Sequence, residues 1–353
     1  MDISRKNQEQ IAGDNSTQNQ VVGTQNNTYV TVAGTSIPDV TEFTTTVSKQ
    51  VTQQALSLCT QVAYDVALKR MQEFESVWIP RVEHMEKAID NFADPKFQFM
   101  LRDANITAAK SSRKEDLDML SELLACHIEK GRDIKIDAGI NKAINIVNDV
   151  DIDTLCALTI IVTILNVNPA SGIIKAGLKD LNDLYAKLLK FDLPNDSAWV
   201  DNALITGIIN LLPGKFYNIE KLMTEILNGY ICAGIEINSE NYDKAIKILY
   251  TNGYSESALV ENELLNGYYR LKTSSLSILK PELKPIIELY SKDVNLLNQV
   301  GVKFMEIWNS YEILNKIRVW FENLDVYFRI NTIGRVLAQT NAKRCCPEFP
   351  DII

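Results

Sequence analysis

The residues able to do chemistry are few and poorly grouped. The chain has two histidines, His84 and His127, and six cysteines, Cys59, Cys126, Cys156, Cys232, Cys345 and Cys346. No Cys-x-x-Cys pair exists, so a zinc site has no ligand set to start from. Cys126 and His127 are neighbours, and on a helix adjacent side chains point about 100° apart, which rules them out as a nucleophile–base dyad by themselves. Pro213-Gly214-Lys215-Phe216 lacks the spacing and the Ser/Thr of a phosphate-binding loop. Asp149-Val-Asp-Ile-Asp153 opens like a calcium loop, but Thr154 stands where the turn glycine belongs and no glutamate closes the loop. These acids read instead as a helix entrance near the positive end of the dipole, with Asp153 as the cap. Serine nucleophile elbows are absent. Glu115-Asp116 and Asp180/Asp183 read as solvated faces, and Cys345-Cys346 before Pro347 as an exposed tail. No catalytic, cofactor-binding or metal-ligating residue is assigned, and no cofactor is expected.

The chemistry that does stand out is self-association. Residues 7–27 hold ten Asn or Gln among twenty-one, and no charge occurs from Asn15 to Pro38. Gly13, Gly23 and Gly34 each follow a short apolar step. Three strands are predicted, over 8–12, 17–22 and 28–33, with turns at 13–16 and 23–27 rich in residues that tolerate positive φ. Ile11, Val21, Val22, Val30 and Val32 are too few apolar side chains to offset the backbone entropy of ordering about twenty-five residues. Copies stacked edge to edge would satisfy each other's backbone and add Asn/Gln ladders. A solvated polar tail and a templated, amyloid-like stack are the other two arrangements. Strands ordered only in a homo-oligomer are the reading adopted, and the residues assigned to that contact are Ile11, Gly13, Asn15, Gln20, Val21, Val22, Gly23, Asn26, Val30 and Val32.

The same tail carries a resemblance. Gln-Glu-Gln-Ile-Ala-Gly-Asp-Asn-Ser-Thr-Gln-Asn-Gln (8–20), followed by Gly-Thr-Gln-Asn-Asn-Thr-Tyr-Val (23–30), resembles the opening of a family of uncharacterised bacterial proteins. Phe92-Ala-Asp-Pro-Lys-Phe-Gln98, Asp118-Met-Leu-Ser-Glu-Leu-Leu124, and Leu193-Pro194 followed by Trp199 are similar to that family as well. The resemblance implies a bacterial setting among accessory or phage-defence genes, and it implies no activity.

The elements that must position these residues read as helices. The chain has 353 residues, 46% hydrophobic and 23% charged, enough for a large core without staples. The net charge of −9 argues against nucleic acid or an anionic membrane as the main partner. Phe43, Val47, Val51, Ala55, Leu58, Val62, Val66, Phe74 and Val77-Trp78 trace one helical stripe, a core-facing helix or a stalk between copies, with Pro80 ending or kinking it. Further helices are predicted over 95–109, 113–130, 138–147, 154–167 and 171–190. Another opens at Asn195 or Asp196 and runs to 212. The rest span 219–235, 240–251, 258–264, 281–290 and 295–322. A short strand then leads to a helix starting near Asn331, a pattern found in winged-helix-like units, with mixed charge and weak signal for DNA.

The fold expected is mainly α: a multi-helix array preceded by a β-repeat segment that orders on oligomerisation. The divisions are 1–38 for the tail, 39–92 for the long helix, 93–324 for the body, and 325–353 for the strand, last helix and tail. The uncharged run 154–174 has too short an apolar stretch for a membrane span and reads as a buried helix. The opening residues lack the apolar core of a signal peptide, and the scattered cysteines suit a reducing compartment, so a cytoplasmic protein is expected. The function expected is a self-assembling scaffold, sensor or effector with a protein partner on the helical body. Two alternatives are a membrane-permeabilising effector using 154–174 and an enzyme whose site has no motif.

Overall fold

Polar caps set where several of the helices begin. The computed structural model describes residues 60–353 apart from 84, 86, 87, 132, 191 and 215–217. Asp94 accepts the Lys96 N–H and, with Pro95 in the first turn, starts α3 (Pro95–Lys110). Asp133 takes two N–H groups and starts α5 (Ile134–Ile146). Asp151 accepts the Thr154 N–H at 2.6 Å and starts α6 (Ile152–Asn166). The expected cap, Asp153, therefore lies inside the first turn instead.

Before α3 come α1 (Gln61–Val82) and the short α2 (Ala88–Phe92). Pro80 sits inside α1, which continues two residues beyond it. Between α3 and α5 lies α4 (Lys114–Lys130). After α6 come α7 (Ile174–Leu188) and α8 (Ala198–Ile205). The expected helix to 212 ends early: Gly207 takes φ +70°, and the chain turns into β1 (Ile209–Leu211). It is extended there because it pairs antiparallel with β5 (Phe328–Ile330), Ile209 opposite Ile330.

Parts of 219–353 differ from expectation in the same manner, and others match it. α9 (Ile219–Ile226) stops nine residues before 235, where β2 (Ile235–Glu236) begins. α10 (Glu240–Thr251) has the expected bounds, capped by Ser239. The expected helix at 258–264 is instead a 3-10 turn followed by β3 (Leu259–Glu261), which pairs with β4 (Tyr268–Leu271) in the order β2-β4-β3. Only α11 (Lys284–Ile287) and a 3-10 turn form within 281–290. The helix expected over 295–322 divides at Tyr311 into α12 (Val294–Ser310) and α13 (Glu312–Glu322). Asn331 caps α14 (Thr332–Cys345), as the sequence implies.

The described residues are mainly α, in one large core and one small one. α14 is packed between α4, α5 and α6, with residues 336–342 buried, so it is no exposed recognition helix. α6 lies against it with Thr154–Ile164 all buried, and Thr159 and Thr163 return their hydroxyls to the carbonyls of Leu155 and Thr159. No described helix is long and apolar enough to cross a membrane. The smaller core, around Leu249, Leu271 and Ile286, joins the β2-β4-β3 sheet to α10 and α11. Arg270, fully buried, ties the two together by donating to the carbonyls of Gly172, Gly229, Leu271 and Thr273.

α1 presents two apolar faces rather than one stripe. Ala67, Met71, Phe74, Trp78 and Val82 are buried against α3 and α4, and Arg81 pairs with the buried Glu122. Val62 and Val66 are 75% and 46% exposed. At about 100° per residue they fall about 160° and 120° round the axis from Trp78, too far to share its face.

Candidate functional site

His127 finds its partner on the next helix. α4 carries His127 in its last turn, and the Asp133 cap starts α5 early enough to put Asp137 in its first. Nδ1 of His127 lies 2.8 Å from Oδ1 of Asp137. Lys96, from α3, pairs with the other carboxylate oxygen. His127 and Asp137 are 4% and 2% exposed. The Phe97 ring stacks on the imidazole with centroids 5.5 Å apart. A neutral imidazole at that distance faces the carboxylate with its Nδ1–H, in imperfect alignment.

Gly131 makes room for this ring. A Cβ there would stand 2.8 Å from Nδ1 and 2.6 Å from the carbonyl oxygen of His127, so no larger residue fits without displacing the imidazole. Burial lowers the pKa of His127, and Lys96 adds to that, while Asp137 opposes it. The imidazole is therefore neutral at pH 7. It lines a cleft of about 260 Å³ whose other walls include Asp90, Asn91, Asp94, Lys96 and Glu129.

A neutral imidazole beside a carboxylate can accept or pass a proton at its second nitrogen. A nucleophile is a different matter. Among the described residues lining the cleft there is no Ser, Thr or Cys, and burial pushes the Cys126 thiol up to about 11. Among the described residues, no group of three His, Cys, Asp or Glu is placed to hold a metal.

Other expectations are corrected by packing. Asp116 is buried, not solvated: it accepts from the Ser111 hydroxyl and pairs with Arg113 at 2.8 Å. Arg113 also donates to the carbonyls of Val147 and Val150, so the cluster joins α4 to the end of α5. Burial raises the pKa of Asp116 against those bonds. Asp180 and Asp183 are exposed, as expected. Cys346 is buried and Cys345 half-buried rather than an exposed tail, because the segment after α14 folds back, with Phe349 in the core. The ten tail residues assigned to self-association, Ile11 through Val32, lie outside the described residues.

The sequence spacing predicts a helix from Ala138, which leaves Asp137 outside it and hides the pairing with His127. Asp133, a good N-cap that accepts the Lys135 and Ile136 N–H groups, is the signal that moves that start to Ile134.

A family model whose description reads ":-like" matches residues 35–352, and the chain belongs to that family. No curated protein and no solved structure matches the chain.

Proposed function

We propose that this protein is a self-assembling scaffold, sensor or effector, whose copies join through the Asn/Gln-rich residues 1–38 and the outward face of α1. The observation carrying this reading is the exposure of Val62 and Val66 on a helix whose opposite face is fully packed. In sequence, Val51, Ala55 and Leu58 precede them at three- and four-residue spacing, an apolar series that runs up to Val62 and Val66. Exposed valines in series suit a neighbouring copy better than water. The helical body would carry the partner contact. The bacterial setting and a role in phage defence rest on the resemblance at 8–30, and the five described cysteines, all free, suit a reducing, cytoplasmic compartment.

Light scattering of the double substitution Val62→Lys, Val66→Lys tests the α1 contact. A smaller particle with unchanged thermal midpoint is expected, and an unchanged particle mass removes α1 from the assembly. A second reading, an enzyme without a recognisable motif, is favoured only by the neutral His127 beside Asp137 in an open cleft. Turnover lost in His127→Gln, with folding intact, would support it.

A further inference from the structure

Two segments far apart in sequence close around a pair of indoles. Residues 194–200 and 320–325 enclose a cleft of about 310 Å³, lined by Pro194, Asp196, Trp199, Trp320, Leu324 and Asp325 among others. Trp199 is buried and Trp320 half-buried, with ring centroids 6.2 Å apart at 38°. Phe328 braces Trp199 edge-on at 5.6 Å. Nε1 of Trp320 donates to the carbonyl of Pro194 at 3.0 Å, which fixes the indole in the wall.

The charge on the rim has one sign. Asp196 and Asp325 are both exposed there, and the described lining includes no Lys or Arg. The nearby Lys316 is taken up by Asp192 at 2.8 Å. One oxygen of Asp196 accepts the Ala198 N–H, so its position is held.

We propose that this cleft binds the guanidinium of an arginine side chain presented by a protein partner. The Trp320 face attracts a cation through its quadrupole. Guanidinium is flat, weakly hydrated and able to lie on an indole while its edge donates to carboxylates. An ammonium is a compact, strongly hydrated point charge and loses more on leaving water. An anion meets two carboxylates, and a plain apolar group leaves both of them unanswered beside it. The cleft lies on α8 and α13, away from α1, so it stands or falls apart from the assembly.

The test uses the full chain and three capped tripeptides, Gly-Arg-Gly, Gly-Lys-Gly and Gly-citrulline-Gly, followed through the tryptophan indole N–H signals in NMR titrations. Citrulline keeps the shape of arginine and removes its charge. The arginine peptide is expected to shift the Trp320 signal saturably, the lysine peptide more weakly, and the citrulline peptide not at all. Asp325→Asn, on the exposed rim, is expected to weaken arginine binding by up to about fivefold, with an unchanged thermal midpoint. No shift with the arginine peptide, an equal response to citrulline or lysine, or unaltered affinity in Asp325→Asn each overturns the proposal.

Discussion

His127 and Asp137 stand 2.8 Å apart on consecutive helices, both buried, with Lys96 holding the far oxygen of the carboxylate. Burial lowers the His127 pKa below the ordinary 6.5. Between the folded value and 6.5 the unfolded chain binds a proton that the folded chain does not, so stability is full above 6.5 and falls as pH drops below it. With only two histidines in the chain, an NMR titration of the imidazole Cε1–H signals resolves both, and His84→Gln assigns them. The His127 signal is expected to titrate below 6.5. The loss of thermal stability just below 6.5 is expected to shrink in His127→Gln. A His127 midpoint above 6.5 contradicts the burial argument.

Gly131→Ala puts a methyl group 2.8 Å from Nδ1 and Cε1 of that ring. Overpacking of this kind costs about 1–3 kcal/mol. Chemical denaturation is expected to report that loss, and the His127 midpoint is expected to move up toward 6.5 as the ring becomes wetter. A fully tolerated alanine with an unmoved midpoint would mean that the close approach does not hold.

Arg270 is the second interior charge with a defined task. It donates to Gly172 at 2.8 Å and to three further carbonyls at 3.2–3.3 Å, lies 5.3 Å from the Tyr230 ring, and sits 3.7 Å from Glu263. Glu263 in turn accepts the Ile174 and Lys175 N–H groups at the start of α7. Arg270→Met leaves these carbonyls without their donor and Glu263 without its cation. A loss of about 3–5 kcal/mol is expected from urea unfolding. A separate early transition for the small core around Leu271 would accompany it, since Arg270 ties that core to the larger one. A variant as stable as the parent would show the tie to be dispensable.

These contacts divide by how far apart their partners lie in sequence. α10 was legible at both ends, because Ser239 caps it and Asn252-Gly253 stops it, Gly253 at φ +78°. Asn331 announced α14 for the same local reason. β1 and β3 were read as helix, because a three-residue strand carries no period, and what extends them is a partner elsewhere: Phe328–Ile330 for one, Tyr268–Leu271 for the other. The stripe on α1 was read as one face because short apolar steps look continuous until the 100° rotation is followed through. Asp137 falls outside the helix predicted from Ala138 and inside the one that Asp133 starts. Trp199 stood out in sequence beside Leu193-Pro194, but Trp320, which completes its cleft, comes from another helix more than a hundred residues on. Local signals placed caps, and nonlocal packing placed sites.

The assembly itself is tested most directly by particle mass. Light scattering of the full chain is compared with that of a chain beginning at Asp39, at equal concentration and with folding checked by circular dichroism. A multiple of the 39.8 kDa chain mass is expected for the full chain, and a smaller particle for the shortened one. Equal copy numbers for both would contradict assembly through the Asn/Gln-rich segment.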